Sequence, residues 1–449
     1  MGNVYTKIIS HVLFPLHERL KGHDTVYLRK KLEKTQWWPL EKIHKLQLRR
    51  LRELLAYANT NVYYYQKLFK KINFNPLDLT DLSKLQEIPF LTKDIIRANE
   101  IDLKSKIANS LFRFTTGGSS GEPLIFYIGK KRVSHDVAAK WRATRWWDVD
   151  IGDKEIVVWG SPIEINAQDQ IRLIRDKLFR TKLIPAFEMS DVNIDNYINH
   201  IKNFRPKMLF GYPSSLSLIA KHAEIREINM TDIGVKVAFV TSERLYDDQR
   251  KIIEKIFNCR VANGYGGRDA GFIAHECSAG SMHITAEDIV VEIIDSNGNV
   301  VSPGTPGEIV ITHLATEDFP FIRYRTGDIG VLSEEICKCG RGLPLLSEIQ
   351  GRTTDFIVAQ DGKKMHGLAL IYILRELRGL QEFKIIQEDL FRTRVLLNTT
   401  SDYIKGQDDI IRTKFKKRLG KDVFIEIEHV EKIPSEKSGK FRYVVSYVQ

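Results

Sequence analysis

The chain has 449 residues, of which 43% are hydrophobic and 28% charged, and carries a formal net charge of +11. That length exceeds one ordinary core and asks for two or more domains, and the composition is that of a soluble globular protein. The basic excess is spread along the chain, which suits a solvated surface or an anionic small-molecule substrate rather than a dedicated nucleic-acid reader.

No apolar run approaches the ~18 residues that a membrane helix needs. The first residues, Met1-Gly2-Asn3-Val4-Tyr5-Thr6, match the short myristoylation pattern. Ile8 to Pro15 is broken by Ser10 and His11 and does not read as a signal peptide. The expectation is a cytoplasmic protein, with residues 1–25 as a candidate weak tether to a membrane surface.

Residues 41–71 read as helix, with Leu51, Leu54, Leu55 and Ala58 on one apolar face. Two strand-like runs, Leu111 to Phe114 and Leu124 to Tyr127, flank Thr115-Thr116-Gly117-Gly118-Ser119-Ser120-Gly121-Glu122-Pro123. Backbone N–H groups and hydroxyls can converge there on a phosphate; the alternative is a plain polar hairpin loop. No Lys-Ser/Thr follows Gly121, so it is not a Walker loop.

From about residue 150, short apolar strands alternate with helical stretches. Ile156 to Trp159, Met208 to Phe210 and Val237 to Val240 each run into Gly, Ser, Pro or acidic residues. Ligands sit at that carboxyl edge in α/β sheets. Residues 284–334 turn β-rich, through Ile289 to Ile294, Gly307 to Leu314 and Ile329 to Leu332. Beyond a boundary near 353–356, the pattern predicts a small α+β unit. Its helices fall near 366–378 and 407–418, and its strands at 383–387, 394–398 and 423–428.

Three more punctuated stretches carry candidate chemistry. Asn263-Gly264-Tyr265-Gly266-Gly267-Arg268-Asp269 reads as a flexible turn, either an ordinary loop or one that sets an aromatic ring able to stack on a purine beside a carboxylate suited to Mg²⁺. Arg323-Tyr324-Arg325-Thr326-Gly327-Asp328 reads as a tight turn with two guanidiniums and an acid able to accept ribose hydroxyls. Pro434 to Arg442 presents Lys440 on a glycine turn.

Only four cysteines occur, too few for a disulfide framework. Cys277, His283, Cys337 and Cys339 make a Cys₃His set of the kind that holds a structural zinc; the alternative is Cys277 as a buried small residue and His283 as a core histidine. His275 is the rival imidazole, and Cys259 reads as a buried bystander. Trp141, Trp146 and Trp147, with Arg142 and Arg145, fall on a helix and read as core packing, with a share in an acyl pocket as the alternative.

In their order, these motifs resemble the adenylate-forming superfamily, and within it the phenylacetate–CoA ligase branch and the CapK-type proteins of surface-polysaccharide clusters. Phe210-Gly211-Tyr212-Pro213-Ser214-Ser215, Gly351-Arg352 and Cys337-Lys338-Cys339-Gly340-Arg341 add to the likeness, which spans about residues 45 to 445. The resemblance implies an α/β fold with a large N-terminal adenylation domain (1–352), mixed and parallel sheets and a β-rich subdomain. A small mobile α+β domain (356–449) would carry the catalytic Lys440.

It implies that Thr116 to Gly121 hold the ATP triphosphate and that Ser242, Glu243 and Arg244 line the adenine site. Tyr265, between Gly264 and Gly266, would stack on the base. Asp269, where the family more often has Glu, would hold Mg²⁺; Asp328 would bind the ribose, with Arg352 nearby. The implied activity joins a small carboxylic acid to coenzyme A through an acyl-adenylate. A CapK-type acceptor, an amine or hydroxyl on a sugar precursor, is the alternative, and a non-catalytic scaffold a third reading. A homodimer is a further expectation.

Overall fold

The protein is described from a computed structural model over residues 4–115, 124–159, 170–186, 189, 191–352, 356–362, 364–404, 406–433 and 442–448. It divides into two compact units, Met1–Gln350 and Gly351–Gln449. The expected fold class holds: a large mixed α/β unit and a small α+β unit.

The helices of the large unit used below are α1 (Thr25–Thr35), α2 (Leu40–Asn61), α3 (Tyr63–Lys71), α4 (Lys130–Arg145), α5 (Asp191–Phe204), α6 (Pro213–Ile225) and α7 (Asp247–Phe257). The helix expected over 41–71 is therefore two. Val62 is extended (φ −120°, ψ 111°) and bridges Ser105, which turns the chain between α2 and α3.

Strands β1 (Phe112–Thr115) and β2 (Ile125–Ile128) form an antiparallel hairpin, with Thr115 opposite Ile125. The hairpin's loop, Thr116 to Pro123, lies outside the described residues.

The central sheet has eleven strands. Five are parallel, in the order β4 (Thr181–Pro185), β3 (Glu155–Trp159), β5 (Met208–Gly211), β6 (Val237–Thr241), β7 (Arg260–Gly267). Buried on both faces, they are near-continuous apolar runs, as parallel strands require. The sheet continues through β8 (Gly271–Glu276), β9 (Met282–Ile284), β13 (Leu345–Arg352), β12 (Tyr324–Ser333), β11 (Gly307–His313) and β10 (Ile289–Ile294). One core lies between the parallel strands and α5, α6 and α7; a second packs α2 and α3 against the antiparallel half.

Buried charge joins these layers. Arg142 of α4 donates to Glu287 at 2.7 Å, and the Thr35 hydroxyl of α1 donates to the same oxygen at 2.7 Å. Both partners of the ion pair are 1–2% exposed. Burial alone would raise the Asp288 carboxyl, but His135 and Arg50 beside it outweigh that and hold it well below the usual range. Removing one partner of such a pair strands a buried charge, at a cost of about 3–5 kcal/mol. Glu287→Gln is expected to lower the unfolding temperature by about 5 °C or more, and a wild-type calorimetric midpoint would contradict that account.

The small unit carries β14 (Phe356–Val358), β15 (Lys364–His366), α8 (Leu368–Arg375), β16 (Leu380–Gln387), β17 (Arg392–Thr399), α9 (Gln407–Leu419), β18 (Phe424–His429) and β19 (Val444–Ser446). Its sheet has the order β18-β17-β16-β19, with β16 and β17 antiparallel and the outer pairs parallel.

Candidate nucleotide site and Cys/His centre

Strands β6 and β7 deliver the first group of candidate residues. Thr241 pairs with Gly264, so Ser242, Glu243 and Arg244 leave β6 beside Tyr265. Ser242 has φ +70°, a left-handed kink that ends the strand. The Glu243 carboxylate accepts from the Ser214 N–H at 3.2 Å, which ties the end of β6 to the start of α6. Arg244 donates to the Gln350 carbonyl and lies 3.8 Å from Glu348.

Gly264-Tyr265-Gly266 is strand rather than the expected flexible turn, and pairs with β8 through a bulge between Tyr265 and Gly266. Gly266 is glycine for a packing reason: a Cβ there would lie 2.1 Å from the Gly271 carbonyl oxygen. The extra residue of the bulge is Ile273 on β8, opposite the Tyr265–Gly266 step.

Residues 324–328 are also not a tight turn. They lie within β12, where Val310 faces Arg325 and Glu308 faces Ile329, so that Thr326, Gly327 and Asp328 bulge out of the ladder. Gly327 takes φ +78°. The Thr326 hydroxyl donates to the Ile309 carbonyl at 2.8 Å and accepts from the Asp328 N–H at 3.1 Å. The sequence thus builds a bulge that carries Asp328.

The two bulges meet. The Tyr265 hydroxyl donates to Asp328 Oδ2 at 2.9 Å, and the Tyr324 hydroxyl donates to Asp269 Oδ2 at 2.6 Å. Burial first, then the Asp328 charge, pushes the Tyr265 hydroxyl well above its usual pKa, so it stays a donor. Asp269 Oδ1 accepts from the Ala270 N–H at 3.1 Å. One hydrogen bond on each oxygen leaves a carboxylate with further acceptor capacity, which suits a hard cation.

Beneath this turn, buried Arg132 donates to the Asp269 carbonyl at 3.3 and 3.4 Å and to the Arg268 carbonyl at 3.4 Å, while its Nε donates to Asp136 at 2.8 Å. Arg132 escaped the sequence reading, and so did the partner of Tyr324 within its quoted motif, because their partners lie 137 and 55 residues away.

Neither guanidinium of the 323–328 motif serves a ligand in this arrangement. Arg323 grips Glu292 through two bonds of 3.1 and 3.0 Å and donates to the Gln86 and Ile88 carbonyls. Arg325 pairs with Glu308. Thr116 to Gly121 and Lys440 lie outside the described residues, as does the side chain of Arg352 at the end of β13.

The second constellation closes across β8, β9 and the 337–345 segment. The donor atoms of Cys277, His283, Cys337 and Cys339 all lie within 4.8 Å of one another. Cys277 and Cys337 sulfurs stand 3.6 Å apart, and Cys339 Sγ is 3.2 Å from His283 Nε2. Disulfide sulfurs would be at about 2.0 Å, whereas Zn–S bonds of about 2.3 Å put sulfurs about 3.8 Å apart on a tetrahedron's edge.

Burial first, with the nearby charges of Arg341 and Arg142, outweighs a backbone hydrogen bond at Leu343 that acts the other way and leaves the His283 imidazole at about 4, hence neutral with a lone pair to give. Trp146 stands edge-on to His283 at 5.6 Å, and its N–H donates to Gln36 at 2.8 Å. Trp147 likewise donates to the Glu276 carbonyl. The tryptophans are packing residues. His275 is not in the cluster; burial pushes it down to about 3, between Phe272 and Phe239. Cys259 is half-buried, its thiol pushed up to about 12 by burial.

A family model described as the CapK C-terminal domain matches residues 357–447. Protein CapK of Staphylococcus aureus is 27% identical over 91% of this chain and 90% of its own length. The chain is therefore similar to CapK along most of its length. It is also 25% identical to phenylacetate–coenzyme A ligase of Thermus thermophilus, over 71% of this chain and 72% of that one. A crystal structure of 2-hydroxyisobutyryl-CoA ligase with 2-HIB-AMP, in the postadenylation state, superposes with TM-score 0.74 at 20% identity, covering 91% and 90% of the two chains. Amide bond synthetase McbA from Marinactinospora thermotolerans superposes at 0.53 and 16%, covering 73% of this chain and 67% of that one. Among the described residues no helix is long and apolar enough to cross a membrane.

Proposed function

We propose that the chain is an AMP-forming carboxylate ligase, which converts a small carboxylic acid and ATP to an acyl-adenylate and transfers the acyl group to coenzyme A. The observation that carries this reading is the meeting of two distant motifs. Tyr265 with Asp328, and Tyr324 with Asp269, join residues 63 and 55 positions apart at the carboxyl edge of the sheet. Tyr265 would stack on adenine and Asp328 would take the ribose hydroxyls, while Ser242 to Arg244 would border the base.

The attacking carboxylate and the triphosphate repel, and the departing pyrophosphate gathers further charge. Mg²⁺ held at Asp269 would neutralise part of that charge. The chain's own groups would supply the rest: N–H and hydroxyl donors from Thr116 to Gly121, and Lys440 at the α-phosphate and substrate carboxylate. Arg132 fixes the turn that carries Asp269, so the carboxylate needs little reorganisation. A structural zinc at Cys277, His283, Cys337 and Cys339 would tie the 337–345 segment to β8 and β9, with every coordination position taken by protein.

A second acceptor is favoured by a separate observation. The CapK likeness spans 91% of the chain and its C-terminal model falls on the small unit, whereas the phenylacetate–CoA ligase likeness covers 71%. In this reading the acyl group goes to an amine or hydroxyl of a sugar precursor for surface polysaccharide. Turnover with and without coenzyme A separates the two. Thioester formed from an activated acid supports the ligase; adenylate that builds up with coenzyme A present and discharges to an amino sugar supports the alternative.

A further inference from the structure

The helical run Val4–Ile8, Ile9–Leu13 and Phe14–Leu20 has two unlike faces. Its inner face is docked. Thr6, Ile9, Ser10, Phe14 and Glu18 are buried, Thr6 donates to Asp153 at 2.9 Å, and Phe14 meets Trp141 edge-on at 5.0 Å. Its outer face carries Val4, Ile8, Val12, Leu16 and Leu20, which are 71, 47, 57, 53 and 80% exposed.

These five recur at every fourth residue. In a straight α-helix a four-residue step drifts by about 40°, so five such residues would spiral across nearly half the surface. Ile9–Leu13 is a π-helical turn, which winds less per residue and draws the row back. The local irregularity therefore keeps an aliphatic ridge in line.

The other exposed residues between Val4 and Lys21 are Lys7, His11, Arg19 and Lys21. The one acid in that span, Glu18, is turned inward, where Thr25 and His23 donate to it. An exposed face made only of aliphatic and basic side chains matches the anionic headgroup boundary of a bilayer. It does not match itself, because a second copy related by a two-fold axis would set lysines against lysines with no acid between them.

We propose that this face lays the folded protein on an anionic lipid surface, with the Val4–Leu20 ridge among the acyl chains and Lys7, Arg19 and Lys21 at the phosphates. The proposal is independent of the reaction assigned above.

The test is co-sedimentation of the full chain with vesicles of phosphatidylcholine alone, or of phosphatidylcholine and phosphatidylglycerol in equal parts. Binding to the anionic vesicles that weakens with salt is expected. Ile8→Ser with Val12→Ser and Leu16→Ser should lower it about a hundredfold at an unchanged unfolding temperature. Lys7→Gln with Lys21→Gln should lower it about tenfold and flatten the salt dependence. Absence of wild-type binding, binding untouched by either variant, or a solution dimer that the serine variant dissolves would overturn the proposal.

Discussion

Lys440→Ala is expected to lower acyl-adenylate formation by about a hundredfold or more, with ATP binding near wild type. The reason is electrostatic and local in time. In the proposed site Mg²⁺ and the glycine loop would already balance ground-state ATP, so one ammonium would add little to binding. In the transition state a carboxylate oxygen and the α-phosphate must approach while charge moves onto pyrophosphate. A fixed cation between them stabilises that arrangement more than either ground state, and only such a difference accelerates the step. Rapid-quench detection of the adenylate, alongside a nucleotide-binding titration, reads the two effects separately. Near-normal adenylation by the alanine variant would contradict the assignment of Lys440.

Metal removal is the other large effect. Protein dialysed free of loose ions is expected to hold about one zinc per chain, and Cys337→Ser to lose it. Without the ion, buried Cys277, Cys337 and His283 would face one another with no shared bond to hold Gly280, Gly340 and their turns in place. The Cys337–Cys339 loop also anchors the junction of α1 and α2: Gly342 N–H donates to the Gln36 carbonyl at 3.0 Å, and Arg341 stacks on Trp37 and Trp146. Loosening should therefore spread beyond the site, lowering the unfolding temperature by about 10 °C or more. Elemental analysis that finds no zinc in the wild type removes the centre.

Most elements were legible because their signals are local. The parallel strands at 156–159, 208–210 and 237–240 are apolar runs punctuated by Gly, Ser and Pro, and the structure places strands at each. The candidate residues at 242–244, 264–266, 269 and 328 were legible as punctuation and as a resemblance, but their local conformation was not. Gly327 and Gly266 read equally well as turns or as bulges. The choice rests on partner strands, since Glu308 and Val310 decide it for the first and Gly271 for the second.

The motif's two arginines show the same limit. A guanidinium beside an acid reads as an anion ligand until Glu292 and Glu308 arrive from other strands and occupy it. Arg132 had no signal at all, and Tyr324, though it stood in a quoted motif, had none for its pairing with Asp269. A buried tyrosine and a helix arginine look like core and surface in sequence, and only the folded chain sets them against the Asp269 turn.

The central claim is that these residues activate a carboxylate, and acid-dependent exchange of labelled pyrophosphate into ATP tests it most directly. Aryl, fatty, amino and uronic acids, each with Mg²⁺, would be offered to the wild-type chain. Exchange that depends on one class of acid, on Mg²⁺ and on Lys440 is the predicted result; binding of ATP with no exchange across the whole set would contradict it and leave a nucleotide-binding scaffold.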